Sequence, residues 1–244
     1  ANTIAPSTTR RCDAHVALAL CPHDLPVRLL GTGGGLVYAP LGPTHLAIED
    51  MAIMRALPNM AVVAPGDAEE MRRFMRTTPD WPHPIYIRLG KGGDPVASRE
   101  ADGFAIGKAY MLREPGDVLI VSTGVMTARA LDAAALLAER GVGCGVLAMP
   151  TVKPLDEAAV LAGAAAARLL VTLEEHTRVG GLGSAVVDCL IDSGAELPPI
   201  LRLALPDAFP EAYGSQDSLL ERYRLQPPQI AERIAANVSK LKAA

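Results

Sequence analysis

Four short segments carry the side chains or the backbone that could do chemistry. Thr44 and His45 close the tetrapeptide Gly42-Pro43-Thr44-His45, directly ahead of a stretch in which Ala47, Met51, Met54 and Leu57 recur at helical spacing. Pro suits a first helical turn and Thr a cap, so a plain helix start accounts for the segment as it stands. The same placement predicts the His45 imidazole at the positive end of a helix dipole. There the neutral ring is favoured and can meet an anionic substrate as donor or acceptor. Arg88 stands near the end of the apolar run 85–89. A guanidinium at a strand end either holds a phosphate or carboxylate bidentately or forms an ion pair at a surface or interface. Glu174-Glu175-His176 follows another apolar run and precedes Gly180-Gly181-Leu182-Gly183-Ser184. It reads as a paired-carboxylate acid/base site or, more simply, as a capping and interface loop. The fourth segment, Gly31-Thr32-Gly33-Gly34-Gly35, matches neither GxxxxGK[ST] nor GxGxxG and is no free-standing nucleotide loop. A glycine turn at a strand's C-terminal end is still where ligands approach an open α/β sheet.

These segments hang from an alternation of strands and helices. Continuous apolar runs predict strands over 2–6, 26–30, 60–64, 85–89, 117–122, 145–149, 169–173 and 200–205. Between them, Thr8 or Thr9 is placed to cap a helix running through residue 20, and Asp67 with Glu70 forms a capping box for the next. Further helices are expected over 127–140, 155–167, 182–192, 216–223 and 228–241. Strands that alternate with helices and are apolar throughout predict parallel sheets covered on both faces. The fold class expected is α/β, as two three-layer units with mostly parallel sheets. Glycine and charged residues without periodicity mark a linker at 93–106, leaving units at 1–92 and 107–244.

Composition excludes several classes. The 244 residues are 50% hydrophobic and 20% charged, a globular balance, and at 4% aromatic the cores must be built from Ala, Leu, Val, Ile and Met. A net charge of -4 argues against a nucleic-acid partner, which needs a basic excess. The nearest approach to a membrane span, 158–173, is broken by Arg168, so no membrane role is expected. Cys12, Cys21, Cys144 and Cys189 form no CxxC pair; they read as reduced thiols of a cytoplasmic protein and offer no metal-ligand set. The chain opens at Ala1 inside a predicted strand, as a processed start or a continuation of something missing would.

Taken together, the segments resemble one family. LGPTHLAIEDMAIMRALPNMAVVAPGD is similar to the GPTHQ..ED...R..PNM.V..P.D stretch of transketolase-like enzymes, and IYIRLGK to the strand-end Arg that follows it. DVLIVSTGVMT, LLVTLEEHTRVGGLGSAV and LALPDAFPEAYGS resemble that family's C-terminal domain in order and spacing. The resemblance implies thiamine diphosphate chemistry, with a pyrimidine-binding domain at 1–92 and a C-terminal domain at 107–244. The GDG…N motif of the third domain, which binds the diphosphate through Mg2+, is absent from this sequence. An N-terminal partner subunit is therefore implied, holding the Mg2+ and sharing the cofactor in an α2β2 assembly. By the same resemblance His45 is catalytic, Thr44, His45 and Arg88 bind substrate, and Gly33, Gly34 and Gly35 approach the cofactor. The family places a pyrimidine-stacking aromatic near Ser7 or Thr8, and Ser7 is the cofactor-binding candidate there. Neither side chain has a flat apolar face, and no residue here takes the role of the family's cofactor-protonating glutamate. Gly33 and Leu41 replace a His and an Asp that contact sugars, which implies a less hydroxylated substrate. Two other roles resemble the pattern less well: a non-catalytic structural or regulatory subunit, and the β subunit of a 2-oxoacid dehydrogenase.

Overall fold

The structure, a computed structural model, describes residues 1–194 and 196–243. Two mostly parallel five-stranded sheets with flanking helices make up the fold, as the alternation predicts. The first half of the chain runs β1 (Asn2–Ile4), α1 (Ala5–Thr8), α2 (Asp13–His15), β2 (Arg28–Thr32), α3 (Asp50–Ala56), β3 (Ala61–Val63), α4 (Ala68–Thr77) and β4 (Ile85–Leu89). The second runs β5 (Tyr110–Arg113), β6 (Val118–Ser122), α5 (Met126–Glu139), β7 (Cys144–Ala148), β8 (Thr151–Lys153), α6 (Glu157–Ala166), β9 (Leu169–Thr177), α7 (Leu182–Asp192), β10 (Ile200–Leu205), α8 (Gln216–Arg222) and α9 (Pro227–Ala243). No helix among the described residues is long and apolar enough to cross a membrane.

The first sheet has the order β1-β2-β4-β3-β8 and the second β10-β9-β6-β7-β5. The pairs β1–β2, β2–β4 and β3–β4 are parallel, with Gly31 opposite Arg88. The antiparallel strand β8 crosses from the second half of the chain to close the first sheet beside β3. The antiparallel β5 closes the second sheet beside β7. Neither closing strand was expected from the sequence. β8 is three residues between Pro150 and Pro154, and β5 is half-buried and mixed in character, so neither makes an apolar run.

Packing ties the halves further. Ala130, Ala133, Ala134 and Leu137 of α5 meet Ile230 and Ile234 of α9 over the second sheet, and Leu36, Leu46 and Ile48 of the first half join that same core. Ala185 of α7 joins Met51, Met54 and Tyr86 under the first sheet. Each fully buried Leu, Ile or Met side chain among these contributes about 1.5–3 kcal/mol, and each Ala methyl less than about 1 kcal/mol. Residues 93–106 carry one 3-10 turn (Glu100–Asp102) and lie against the first unit. Asp67 accepts from the Ala97 and Ser98 amides at 2.9 and 2.8 Å, and the Phe104 ring packs 5.0 Å from that of Phe74.

Three elements differ from expectation in ways that bear on the site. Thr8 and Thr9 do not cap a long helix. The chain is already helical at Ala5–Thr8, with Pro in the first turn, and both hydroxyls donate backward, to Ile4 O and Ala5 O. The remainder is a short α2 and a π-turn over Val16–Leu20. Next, the helix after Gly42-Pro43-Thr44-His45 starts only at Asp50. Residues 46–48 are engaged elsewhere: Ala47 exchanges backbone hydrogen bonds with Gly35, and Ile48 O accepts from Thr177 N. Finally, β9 runs nine residues, all buried, so Glu174, Glu175 and His176 lie within the strand and not in a loop after it.

Candidate functional site

The loop that carries Thr44 and His45 is held from outside. A 3-10 turn (Ala39–Leu41) leads into Gly42, whose φ of 73° is a left-handed conformation that glycine adopts without strain. Arg10, in the turn after α1, donates to Pro43 O at 3.1 Å and to Leu46 O, and its guanidinium pairs with the Glu49 carboxylate. The Phe209 ring covers that guanidinium, 5.7 Å from Arg10 Cζ to the ring centroid. The clamp leaves Thr44 exposed and His45 half-buried, joined by a 2.9 Å hydrogen bond between Thr44 Oγ1 and His45 Nδ1. With the hydroxyl occupying Nδ1, Nε2 is the ring nitrogen left to meet a ligand. His45 sits five positions ahead of α3, so the helix-dipole argument for it falls. Arg10 was not anticipated, because its partners lie 33–39 positions along the chain and leave no local pattern.

Arg88 does not occupy an open strand end. It is 5% exposed, and its guanidinium donates to Asp50 Oδ2 at 2.8 Å, Ala47 O at 3.0 Å and Glu175 O at 2.9 Å. Tyr86 Oη donates to the same Asp50 oxygen at 2.7 Å, which makes a fully buried Tyr86–Asp50–Arg88 cluster. Burial opposes the guanidinium charge, but the Asp50 carboxylate outweighs it and raises the pKa. Arg88 thus links the end of β4 to the loop before α3 and to β9, with its guanidinium engaged by three acceptors of this chain.

The glycine turn is filled in the same way. Gly33 N, Gly34 N and Gly35 N donate to the backbone oxygens of Gly90, Leu89 and Ala47, so no amide is left to cradle an anion. Side chains of this chain occupy the space the glycines open: Tyr38 lies over Gly33, Arg88 over Gly34 and Glu175 over Gly35. A Cβ on Gly34 would meet Arg88 Cγ at 2.7 Å, and one on Gly35 the Glu175 carboxyl carbon at 2.5 Å. Within this chain, the close approach that Gly33, Gly34 and Gly35 permit is to protein.

Glu174, Glu175 and His176 are 0–1% exposed. Glu174 accepts from Leu182 N and Gly183 N at the start of α7, at 2.7 and 2.8 Å. Burial nevertheless pushes its pKa up to about 7. Glu175 accepts from Leu36 N at 2.8 Å and from Gln216 Nε2, and burial raises it too. His176 Nδ1 donates to Thr177 O at 2.7 Å and Nε2 accepts from Ala52 N at 3.3 Å. Burial drives its pKa down to about 4 against the pull of Asp50, so the ring is neutral. All three side chains join β9 to its neighbours, and none faces solvent as an acid or base would need to.

Residues 7–93 match the family model of the transketolase pyrimidine binding domain, and residues 107–230 match that of the transketolase C-terminal domain. The chain belongs to the transketolase family. It is 39% identical over 97% of its length to the 6-deoxy-6-sulfo-D-fructose transketolase subunit of Clostridium sp. (strain MSTE9), covering 72% of that protein. It is 33% identical over 88% of its length to an apulose-4-phosphate transketolase subunit of Phocaeicola vulgatus, covering 68% of it. A solved split gene transketolase, described as an inactive beta4 tetramer, superposes with a TM-score of 0.87 at 34% identity, covering 96% of this chain and 74% of that one. A transketolase of Pichia stipitis shares the fold, with a TM-score of 0.78 at 23% identity, and this chain spans 33% of it.

Transketolases generally use thiamine diphosphate, and the residues present can be tested against it. The pyrimidine ring needs a flat apolar face. Ser7, half-buried on α1, offers only a hydroxyl that accepts from Arg11 Nη1 at 3.4 Å, and the turn at Gly33–Gly35 is packed with Tyr38, Arg88 and Glu175. The described residues do not by themselves fit the cofactor. What they do present to a ligand is Thr44 with His45, on a loop clamped by Arg10.

Proposed function

We propose that the chain is the C-terminal section of a split transketolase-like transferase that moves a two-carbon ketol unit. In this reading an N-terminal partner subunit supplies the Mg2+ and the diphosphate site, the cofactor is shared, and the active form is an α2β2 assembly in the cytoplasm. Residues 1–92 act as the pyrimidine-domain part, 93–106 as a strap, and 107–244 as the C-terminal domain. The observation that carries the reading is 39% identity over nearly the whole chain to a separately encoded transketolase subunit. The solved relative described as an inactive beta4 tetramer supports the need for a partner.

His45 is the substrate-side donor or acceptor. Nε2 hydrogen-bonds the donor carbonyl, or the alkoxide that forms from it, while Thr44 fixes the ring through Nδ1 and Arg10 fixes the loop. Gly33 and Leu41 in place of sugar-contacting side chains favour a substrate with fewer hydroxyls. The test is reconstitution with the N-terminal subunit, followed by an assay of ketol transfer. His45→Ala is expected to lower turnover by about 10²–10⁴, the range for a positioned polarising group. Near-normal turnover in the variant overturns the role of His45, and no ketol transfer by the reconstituted wild type overturns the reaction. The second outcome would favour a non-catalytic subunit, which Ser7 and the filled glycine turn also favour.

A further inference from the structure

A second concave feature lies on the second unit, along the outer edge of β10. A groove of about 560 Å³ there is lined by Arg178, Arg202, Arg222, Arg224 and Arg233, against a single carboxylate, Glu232. The whole chain carries a net charge of -4, so this is a local reversal of sign. Among the described residues the ion pair in this set is that of Arg224 with Glu232, at 2.7 Å. Among the described residues no carboxylate lies within ion-pair distance of Arg178, Arg202, Arg222 or Arg233. Arg202 uses Nη2 on Ser184 Oγ at 3.1 Å and on Arg178 O, while its buried Nε has no hydrogen-bond partner. Arg233 reaches only a backbone oxygen, Arg224 O at 3.5 Å.

Helix capping accounts for part of this. Arg222 in the last turn of α8 complements the negative end of the dipole. It does not account for Arg224, which has a φ of 59° just beyond the helix, where the Leu225 N to Leu220 O bond closes a Schellman turn. Glycine or asparagine is the usual occupant of that left-handed position, and a long side chain there is strained. Collecting five guanidiniums around one ion-paired carboxylate also costs Coulomb energy. Burial and the neighbouring Arg224 both lower the pKa of Arg233. An anion in the groove relieves that repulsion.

We infer that this groove is a binding site for a small polyanion that carries at least two phosphate or carboxylate groups, such as a bisphosphorylated or diphosphate-bearing metabolite. The volume falls within the range of small-ligand sites, about 300–1,000 Å³. Planar guanidiniums are the donors that hold phosphate and carboxylate in pairs. An acidic segment of a partner chain needs the same charge spread along a longer track, so a groove of about 560 Å³ favours the small ligand. Thr44 and His45 are not among its lining residues, and the site does not depend on the ketol-transfer reading.

The test uses the full chain and inorganic pyrophosphate as probe, titrated calorimetrically at low salt and at about 0.15 M. Saturable binding is expected, weakened at least tenfold in Arg222→Ser/Arg233→Ser and unchanged in Arg76→Ser, an exposed arginine on α4. Equal weakening in Arg76→Ser, or none in the double variant, overturns the proposal, as does a failure of the wild type to saturate. A change of oligomeric state in Arg222→Glu/Arg233→Glu by light scattering, with pyrophosphate affinity intact, assigns the groove to a partner's acidic segment and equally overturns it.

Discussion

Two strand ends face each other across the junction of the units, and they are built from opposite materials. The end of β2 is glycine, with Gly33 and Gly35 at φ of 74° and 78°. The end of β9 is charge, with two carboxylates and an imidazole in consecutive positions. In sequence the first looks like room for a ligand and the second like acid/base chemistry. In the fold they serve each other: Glu175 fills the space over Gly35 and accepts from Leu36 N, and Arg88 passes over Gly34 to reach Glu175 O. Glycine at a strand end marks close approach, and the partner in that approach can be another part of the same chain.

The sharpest way to break this comparison is to remove the ion pair beneath it. Asp50→Ala leaves Arg88 buried without a counter-charge and is expected to destabilise the fold by about 3–5 kcal/mol, read from urea unfolding. If Arg88 were instead an exposed anion anchor, Asp50→Ala would alter substrate affinity and leave the unfolding midpoint where it was. Gly35→Ala comes next. It adds a Cβ at a positive φ and against the buried Glu175 carboxyl, so about 2–5 kcal/mol of destabilisation is expected. A turn that were ligand space would tolerate the methyl in the free protein, and an unchanged melting temperature would restore the cofactor reading.

The smallest effect is in the pH dependence. His176 is held down to about 4 from an ordinary 6.5, so in that window the unfolded chain takes a proton the fold refuses, and stability rises with pH. Glu174 and Glu70, both lifted to about 7 by burial, act the other way: the fold keeps protons that the unfolded chain releases, and stability falls as pH rises from the carboxylate range to about 7. In the wild type these slopes oppose each other between about pH 4.5 and 6.5. His176→Gln removes the rising contribution, so its stability should fall more steeply across that interval than the wild type's, measured by urea unfolding at pH 4.5, 5.5 and 6.5. Parallel wild-type and variant curves would mean that His176 titrates freely at the surface.

How far the sequence could be read follows from the same contrast. The strand at 85–89, α7 over 182–192 and the strand at 200–205 were legible to the residue, because each is an unbroken apolar or amphipathic run between clear stops. β9 was cut short at residue 173 because charge normally ends a strand. What permits Glu174 inside it is a pair of amides at the start of α7, eight and nine positions downstream. The family was legible from motifs in register, whereas of the candidate site residues only Thr44 and His45 stand where a ligand could reach them. Helical spacing around Ala47 was genuine, yet Gly35 and Arg88 claim the backbone of Ala47 from a distance, and spacing cannot report such a partner. Arg10 and the arginines of the β10 groove converge from separate elements for the same reason.

Strand β8 has a bearing on how the molecule can be taken apart. It is the last strand of a sheet whose other four members precede residue 90, so producing the first half without the second would leave the edge of β3 uncovered and bare its hydrogen-bonding groups. Uncovered edges of that kind recruit other chains. A first half expressed on its own would therefore be prone to aggregate. A nick in the strap of the intact protein should release no fragment until both halves unfold together. Amide exchange in β3 and in β8 should accordingly proceed at matched rates through one shared global opening, although the two strands lie some ninety positions apart and belong to differently matched parts of the sequence.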